Sequence, residues 1–118
     1  MSQQSVLKTK SFDFAVRIIK LYKFLKTSYA EYELSQQLLR SGTGIGALVK
    51  EAEHAESRKD FLHKLNIGLK EANECVYWVD LLYATEYITK RMYDSMSKDV
   101  IELLKMLISS VRTTKGRD

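Results

Sequence analysis

Residues 40–82, RSGTGIGALVKEAEHAESRKDFLHKLNIGLKEANECVYWVDLL, decide how the rest of the chain must fold. With Leu34 and Leu38 just upstream, Gly42, Ile45, Leu48, Val49 and Ala52 follow three- and four-residue steps, the spacing of one buried helical face. Three glycines fall inside this run, Gly42, Gly44 and Gly46. Each costs about 1 kcal/mol relative to alanine in a helix interior, so something must compensate. Space does: a residue without a side chain lets a neighbouring helix come close, while Ile45 and Leu48 still bury apolar surface. Ser57, with Asp60 three residues later, then suits the N-cap of a second long helix. Two helices joined by a short polar turn make a hairpin, which the remaining chain is expected to cover.

Working outward, residues 1–10 read as a polar, basic and flexible lead-in. Ser11 is the expected cap of the first helix, with Asp13 in its first turn. Phe14, Ala15, Ile18, Leu21, Tyr22 and Leu25 share its apolar face, and Arg17, Lys20 and Lys23 lie on the opposite arc with Val16 and Phe24. A turn near residues 27–32 leads into the second helix, expected to end near Ala55, and the third is expected from Ser57 to about Glu86. On the third helix Phe61, Leu62, Leu65, Leu69, Ala72, Val76, Val79 and Tyr83 form the core stripe, while Ile67, Trp78, Leu81 and Leu82 point away from it. A helix apolar on two sides is buried on two sides, which predicts a second subunit against the outer faces of the second and third helices. Thr89 caps a fourth helix whose core face is Met92, Tyr93, Met96, Val100, Leu103, Leu104, Leu107 and Val111. Its outer face carries Arg91, Lys98, Lys105 and Arg112, and residues 113–118 are expected to fray. The predicted fold is an all-α, antiparallel up-down-up-down four-helix bundle in a single domain, with the first and fourth helices adjacent.

Composition agrees with that reading. The 118 residues contain no proline, five glycines and 45% apolar residues, which favours long helices with short connections. A single cysteine, Cys75, excludes an internal disulfide framework and suits a reducing compartment. Residues 1–10 lack the apolar core of a signal peptide, so no leader is expected, and no run approaches the ~18 apolar residues of a membrane span. A cytoplasmic protein without membrane contact is expected. Net charge is +4, but residues 1–30 carry +5 and residues 89–118 carry +3, so the middle of the chain is slightly acidic. Basic charge belongs to the first and last helices.

Catalytic patterns are weak. Glu51-x-x-His54 and Asp60-x-x-His63 echo the ligand spacing of di-iron bundles. Both pairs, however, fall off the core stripes and beside a turn, where polar surface residues are ordinary. Gly42-x-Gly44-x-Gly46 has no preceding strand and is not a phosphate loop. Cys75 has no basic neighbour to activate it and reads as a small apolar filler. Neither a cofactor, a metal site nor an enzymatic activity is expected. The sequence offers no aromatic platform for stacked bases and no helix-turn-helix.

Arg40-Ser41, Gly44-Ile45-Gly46-Ala47 and Glu51, followed by Ser57, Asp60-Phe61, Lys70-Glu71 and Trp78, resemble the bacterial four-helix-bundle proteins first noticed as products of intervening sequences in 23S ribosomal RNA genes. Relatives of those proteins include the accessory variability determinants of diversity-generating retroelements. The resemblance runs from about Phe12 to Val111, with Leu48 standing where Asn is usual and Gly44 where Ser is usual. It implies a homopentamer and, by analogy with the retroelement relatives, contact with nucleic acid and a reverse transcriptase. The expected function is a non-enzymatic, self-assembling adaptor. It would bind RNA or DNA through Arg17, Lys20, Lys23, Arg91, Lys98, Lys105 and Arg112, and associate with itself through Arg40, Ala47, Glu51, Ile67, Trp78 and Leu81. The alternative is a purely structural oligomer or protein-interaction module.

Overall fold

The computed structural model describes residues 2–116. It contains four antiparallel helices, α1 (Gln3–Tyr29), α2 (Glu33–Glu53), α3 (Arg58–Ala84) and α4 (Lys90–Lys115). Each packs on its two neighbours around a square, and among the described residues the diagonal pairs do not meet. The expected up-down-up-down bundle is the fold. Its long axis spans 48 Å against 22 Å across, close to the ~40 Å that a 27-residue helix occupies at 1.5 Å per residue.

The helix starts follow cap chemistry. Ser57 Oγ accepts from the Asp60 amide at 3.0 Å, and Asp60 Oδ2 in turn accepts from the Glu56 amide at 3.1 Å. Thr89 Oγ1 accepts from the Met92 amide. For α2 the carboxylate of Glu31 serves both the Leu34 and Ser35 amides, at 3.2 and 2.7 Å. Each satisfies donors that the first helical turn otherwise leaves unpaired.

The start of α1 differs from expectation. Ser11 is not a cap; it is buried inside the helix, its hydroxyl donating to the Lys8 carbonyl at 3.1 Å. Ser2 is the cap, and Gln3 to Lys10 of the expected flexible lead-in form two further helical turns with Leu7 0% exposed, Met1 lying outside the described residues. At the other end α4 continues through Thr113, Thr114 and Lys115, with Thr114 buried and bonded to the Ser110 carbonyl. Gly116 closes the helix, its amide donating to the Arg112 carbonyl, and Arg117 and Asp118 of the expected frayed tail lie outside the described residues.

Leu7, Ser11, Phe14, Ile18, Leu21 and Leu25 form the buried stripe of α1, meeting Leu38, Ile45, Val49 and Ala52 of α2. On α3 the buried positions are Leu65, Gly68, Ala72, Cys75, Val79 and Leu82. Leu82, expected to point outward, is 0% exposed. Tyr83, expected in the core, stands at the surface instead. The true stripe is therefore rotated toward Cys75 and Leu82 relative to the expected one. Ile67, Trp78 and Leu81 sit at its half-buried flank.

Glycines set the approach of α2 to its neighbours. A Cβ on Gly42 would lie 2.6 Å from Ile18 Cγ1, and one on Gly46 would lie 3.3 Å from the Ser11 carbonyl oxygen. Both face α1, and together they account for the close pairing of these helices. Gly44 faces α3 instead, where a Cβ would lie 3.1 Å from the Glu71 carboxylate.

The α1–α4 seam is built differently. It is the sparsest of the four helix contacts, and it is stitched along its rim by exposed polar groups. Lys10 pairs with Glu102, Arg17 pairs with Asp99, and Gln3 Nε2 donates to Ser109 Oγ at 3.2 Å.

Candidate nucleic-acid interface

The seven cations expected to bind nucleic acid all lie on α1 and α4, which adjoin. Their surroundings differ. The Arg17 guanidinium is spent within the chain, bonded to Asp99 and to Ser95 Oγ at 2.7 Å. Lys20, Lys23, Arg91, Lys98, Lys105 and Arg112 are exposed, and among the described residues none takes part in an ion pair. Lys10 and Glu102 neutralise one another, the hydrogen bond between them raising the lysine and lowering the carboxylate from their ordinary values. The seam therefore has a paired half around Lys10 and Arg17, where Lys98 also acts on Glu102, and an uncompensated half around Lys20 and Arg91.

Beside the uncompensated half the structure adds what the sequence reading missed, a cluster of surface aromatic rings. Phe24 meets Tyr29 edge-on with ring centres 5.9 Å apart, and Tyr29 meets Tyr87 edge-on at 5.4 Å. Tyr83 stacks on Tyr93 at 4.4 Å and 18°. The Tyr93 hydroxyl donates to Asp80 at 2.8 Å, and this bond holds its pKa above the ordinary value. The available signal was Phe24 standing among lysines on the polar arc of α1. The other rings come from three different helices and turns, and only the fold brings them together.

The residues expected at a self-association surface are partly engaged within the chain. Arg40 reaches from α2 to α3, where it pairs with Glu71 at 3.2 Å and with Glu74. Glu74 also accepts from the Trp78 indole at 3.2 Å, and Trp78 packs half-buried against the core. Glu51 pairs with Lys64 at 3.4 Å. Ile67 and Leu81 are half-buried. Ala47 is exposed, and it lines a groove of ≈620 Å³ between α1 and α2 together with Gly46, Thr43, Ala15 and Phe12. Phe12 is 69% exposed there. Val16 and Ile19, four and seven residues further along α1, extend the apolar strip along the same face.

Burial pushes the Cys75 thiol up to about 12, with the Ser41 hydroxyl only partly offsetting it. Among the described residues no group of three or more His, Cys, Asp or Glu side chains converges as a metal site. No described helix is long and apolar enough to cross a membrane.

Comparison with known proteins fits this architecture. No curated protein sequence matches the chain. A crystal structure from Bacteroides thetaiotaomicron, of a protein of unknown function from the S23 ribosomal protein family, is 54% identical, covering 94% of this chain and 99% of its own with a TM-score of 0.93. The family model for 23S rRNA-intervening sequence proteins matches residues 3–109. With nine-tenths of its length matched, the chain belongs to the 23S rRNA-intervening sequence protein family.

Proposed function

We propose that this protein is a non-enzymatic adaptor that assembles with itself and binds the phosphate backbone of RNA or DNA through α1 and α4. One observation carries the reading. Lys20, Lys23, Arg91, Lys98, Lys105 and Arg112 are exposed on two adjoining helices, and among the described residues none of them forms an ion pair. Several copies of such a face sum their fields toward phosphate. Binding of this kind is weakly sequence-specific and falls steeply with salt, with a log–log slope of about −0.9 per contact on duplex DNA.

Self-assembly is supported by the exposed apolar strip of Phe12, Val16 and Ile19 beside Ala47. A soluble chain leaves so connected an apolar face uncovered mainly where a partner covers it. The assembly we propose is a homo-oligomer, five-membered if it follows the resemblance noted from the sequence. The same strip favours the second reading, a structural oligomer without a nucleic-acid role.

The test is fluorescence anisotropy with labelled RNA and DNA over a salt series, wild type beside a variant with Lys20, Lys23, Lys98 and Lys105 all changed to Gln. Wild-type binding that weakens with salt, and that weakens across unrelated sequences in the variant, supports the adaptor. A wild type that binds nothing at low salt, or a variant that binds equally well, leaves the structural oligomer in its place.

A further inference from the structure

Two grooves lie along the α1–α4 seam. One, of ≈400 Å³, is lined by Arg17, Lys20, Leu21, Phe24, Met92 and Met96. The next, of ≈330 Å³, starts from the same Phe24 and Met92 and continues past Tyr29, Tyr83 and Tyr87 to Lys90. Because they share two walls, they form one channel running from the cationic middle of the seam to the aromatic end of the bundle. We propose that this channel binds single-stranded nucleic acid, with unpaired bases stacking on Phe24, Tyr29 and Tyr83 while Lys20 in its wall, and Arg91 next to Met92 in the chain, hold the backbone. The proposal rests on the phosphate-backbone reading above and narrows its ligand to unpaired strands.

The chemistry favours this occupant. Every base has a π-face, so stacking on aromatic rings tolerates any sequence, and the combination of rings with a basic groove is the common solution for unpaired strands. Tyr29 is 50% exposed although it sits between two other rings. The stack with Tyr93 uses one face of Tyr83, and Tyr83 still lines the channel. Charge is complementary at one end in particular. Lys90 is held by Asp94 at 2.8 Å and Glu86 lines the aromatic end, so the pull on phosphate comes from Lys20 in the channel wall and from the exposed Arg91 next to Met92. A duplex keeps its bases stacked inside and offers these rings nothing.

The experiment compares three labelled probes by anisotropy, an oligothymidylate, an abasic strand of equal length, and a mixed-sequence duplex. The wild type is expected to bind the oligothymidylate about tenfold more tightly than the abasic strand, the order of one lost base–ring stack. A double variant, Phe24→Leu with Tyr29→Leu, keeps apolar bulk but loses two π-faces. It is expected to lose most of that margin, the face of Tyr83 alone remaining, with duplex affinity unchanged. Equal wild-type affinity for the thymidylate and abasic strands overturns the proposal while leaving phosphate binding intact. So does a double variant that keeps the tenfold margin. If the wild type binds none of the probes, both readings fail, and the channel is then a seat for an apolar segment of protein. Should circular dichroism show the double variant unfolded, the wild-type comparison decides by itself.

Discussion

Gly42 and Ile18 face one another where α2 packs on α1, and a Cβ added to the glycine would fall within 2.9 Å of three Ile18 side-chain carbons. Ile18 is fully buried and has no room to yield. Overpacking of this kind costs typically 1–3 kcal/mol, more than the ~1 kcal/mol gained by removing a helical glycine. Gly42→Leu is therefore expected to lower the melting temperature. Gly68 provides the opposite sign, because its Cβ would meet Leu48 and Leu107 at 3.6 and 3.7 Å, ordinary contact distances. Gly68→Ala is expected to stabilise by about 1 kcal/mol. Thermal denaturation of the two variants checks both, and a rise in melting temperature for Gly42→Leu would refute the close-packing account.

Ala30 closes α1 with φ of 53°, the left-handed conformation, its amide directed at the Lys26 carbonyl. An L side chain is disfavoured there and glycine is not. Ala30→Gly should raise stability by about 0.5–1 kcal/mol, read as a higher urea midpoint at unchanged slope. A lower midpoint would mean that Ala30 contributes packing that its exposure does not reveal.

Phe12 and Trp78 separate assembly from folding. Phe12→Asp changes only a surface ring, so it is expected to reduce the sedimentation coefficient while helical circular dichroism and the monomer fold persist. Trp78→Ala removes a ring packed on the core and a hydrogen bond to Glu74, so it should lower thermal stability as well. If Phe12→Asp sediments like the wild type, the α1 strip is not the self-association surface.

Acid should loosen the helices that ion pairs connect. The Lys10 ammonium beside Glu102, and the Lys8 ammonium beside Glu53, hold these carboxyls below their ordinary 4.5. A carboxyl depressed in the folded state adds stability above its unfolded pKa and loses that contribution as pH falls through the folded value. Stability is thus expected to decline below about pH 4.5, and Glu102→Gln with Glu53→Gln should flatten that decline. Urea midpoints measured across this range test it. An unaltered pH profile in the double variant would show that other carboxylates govern the acid limb.

Cys75 should be unreactive while the bundle is closed. Its thiol is fully buried and its pKa is pushed up to about 12, so almost no thiolate exists at pH 8. Ellman's reagent is expected to label it only at the rate of unfolding or in denaturant. Prompt stoichiometric labelling of the native protein would contradict this.

The fold was legible because its strongest signals are helical ones. The glycine-bearing face of α2, the Ser57 and Thr89 caps, and the apolar spacing of α4 each point to the bundle on local grounds. The errors share a physical origin. Ser11 holds a core position against Gly46, so a buried stripe that begins at Leu7 looks from sequence like a lead-in and a cap. The turn after α1 lacks glycine because Ala30 takes the left-handed cap itself. On α3 the small residues Gly68 and Cys75 face the core, where a reading weighted toward large side chains chose Tyr83. The basic faces were visible as charge runs, but the loss of Arg17 to Asp99 and the gathering of Phe24, Tyr29, Tyr83 and Tyr87 depend on which helices adjoin.

The uneven closure of the bundle sets an order for its partial openings. Three helix contacts are close-packed along their length, and the one between α1 and α2 is tightened by glycine. The α1–α4 contact relies on rim ion pairs that water and salt weaken. Local opening follows the least costly break, so α4 is expected to swing from α1 before α1 parts from α2. Amide hydrogens on the flank of α4 that faces α1 would then exchange with deuterium earlier than those of α2. Added salt would widen that gap in protection even where the global melting temperature scarcely moves.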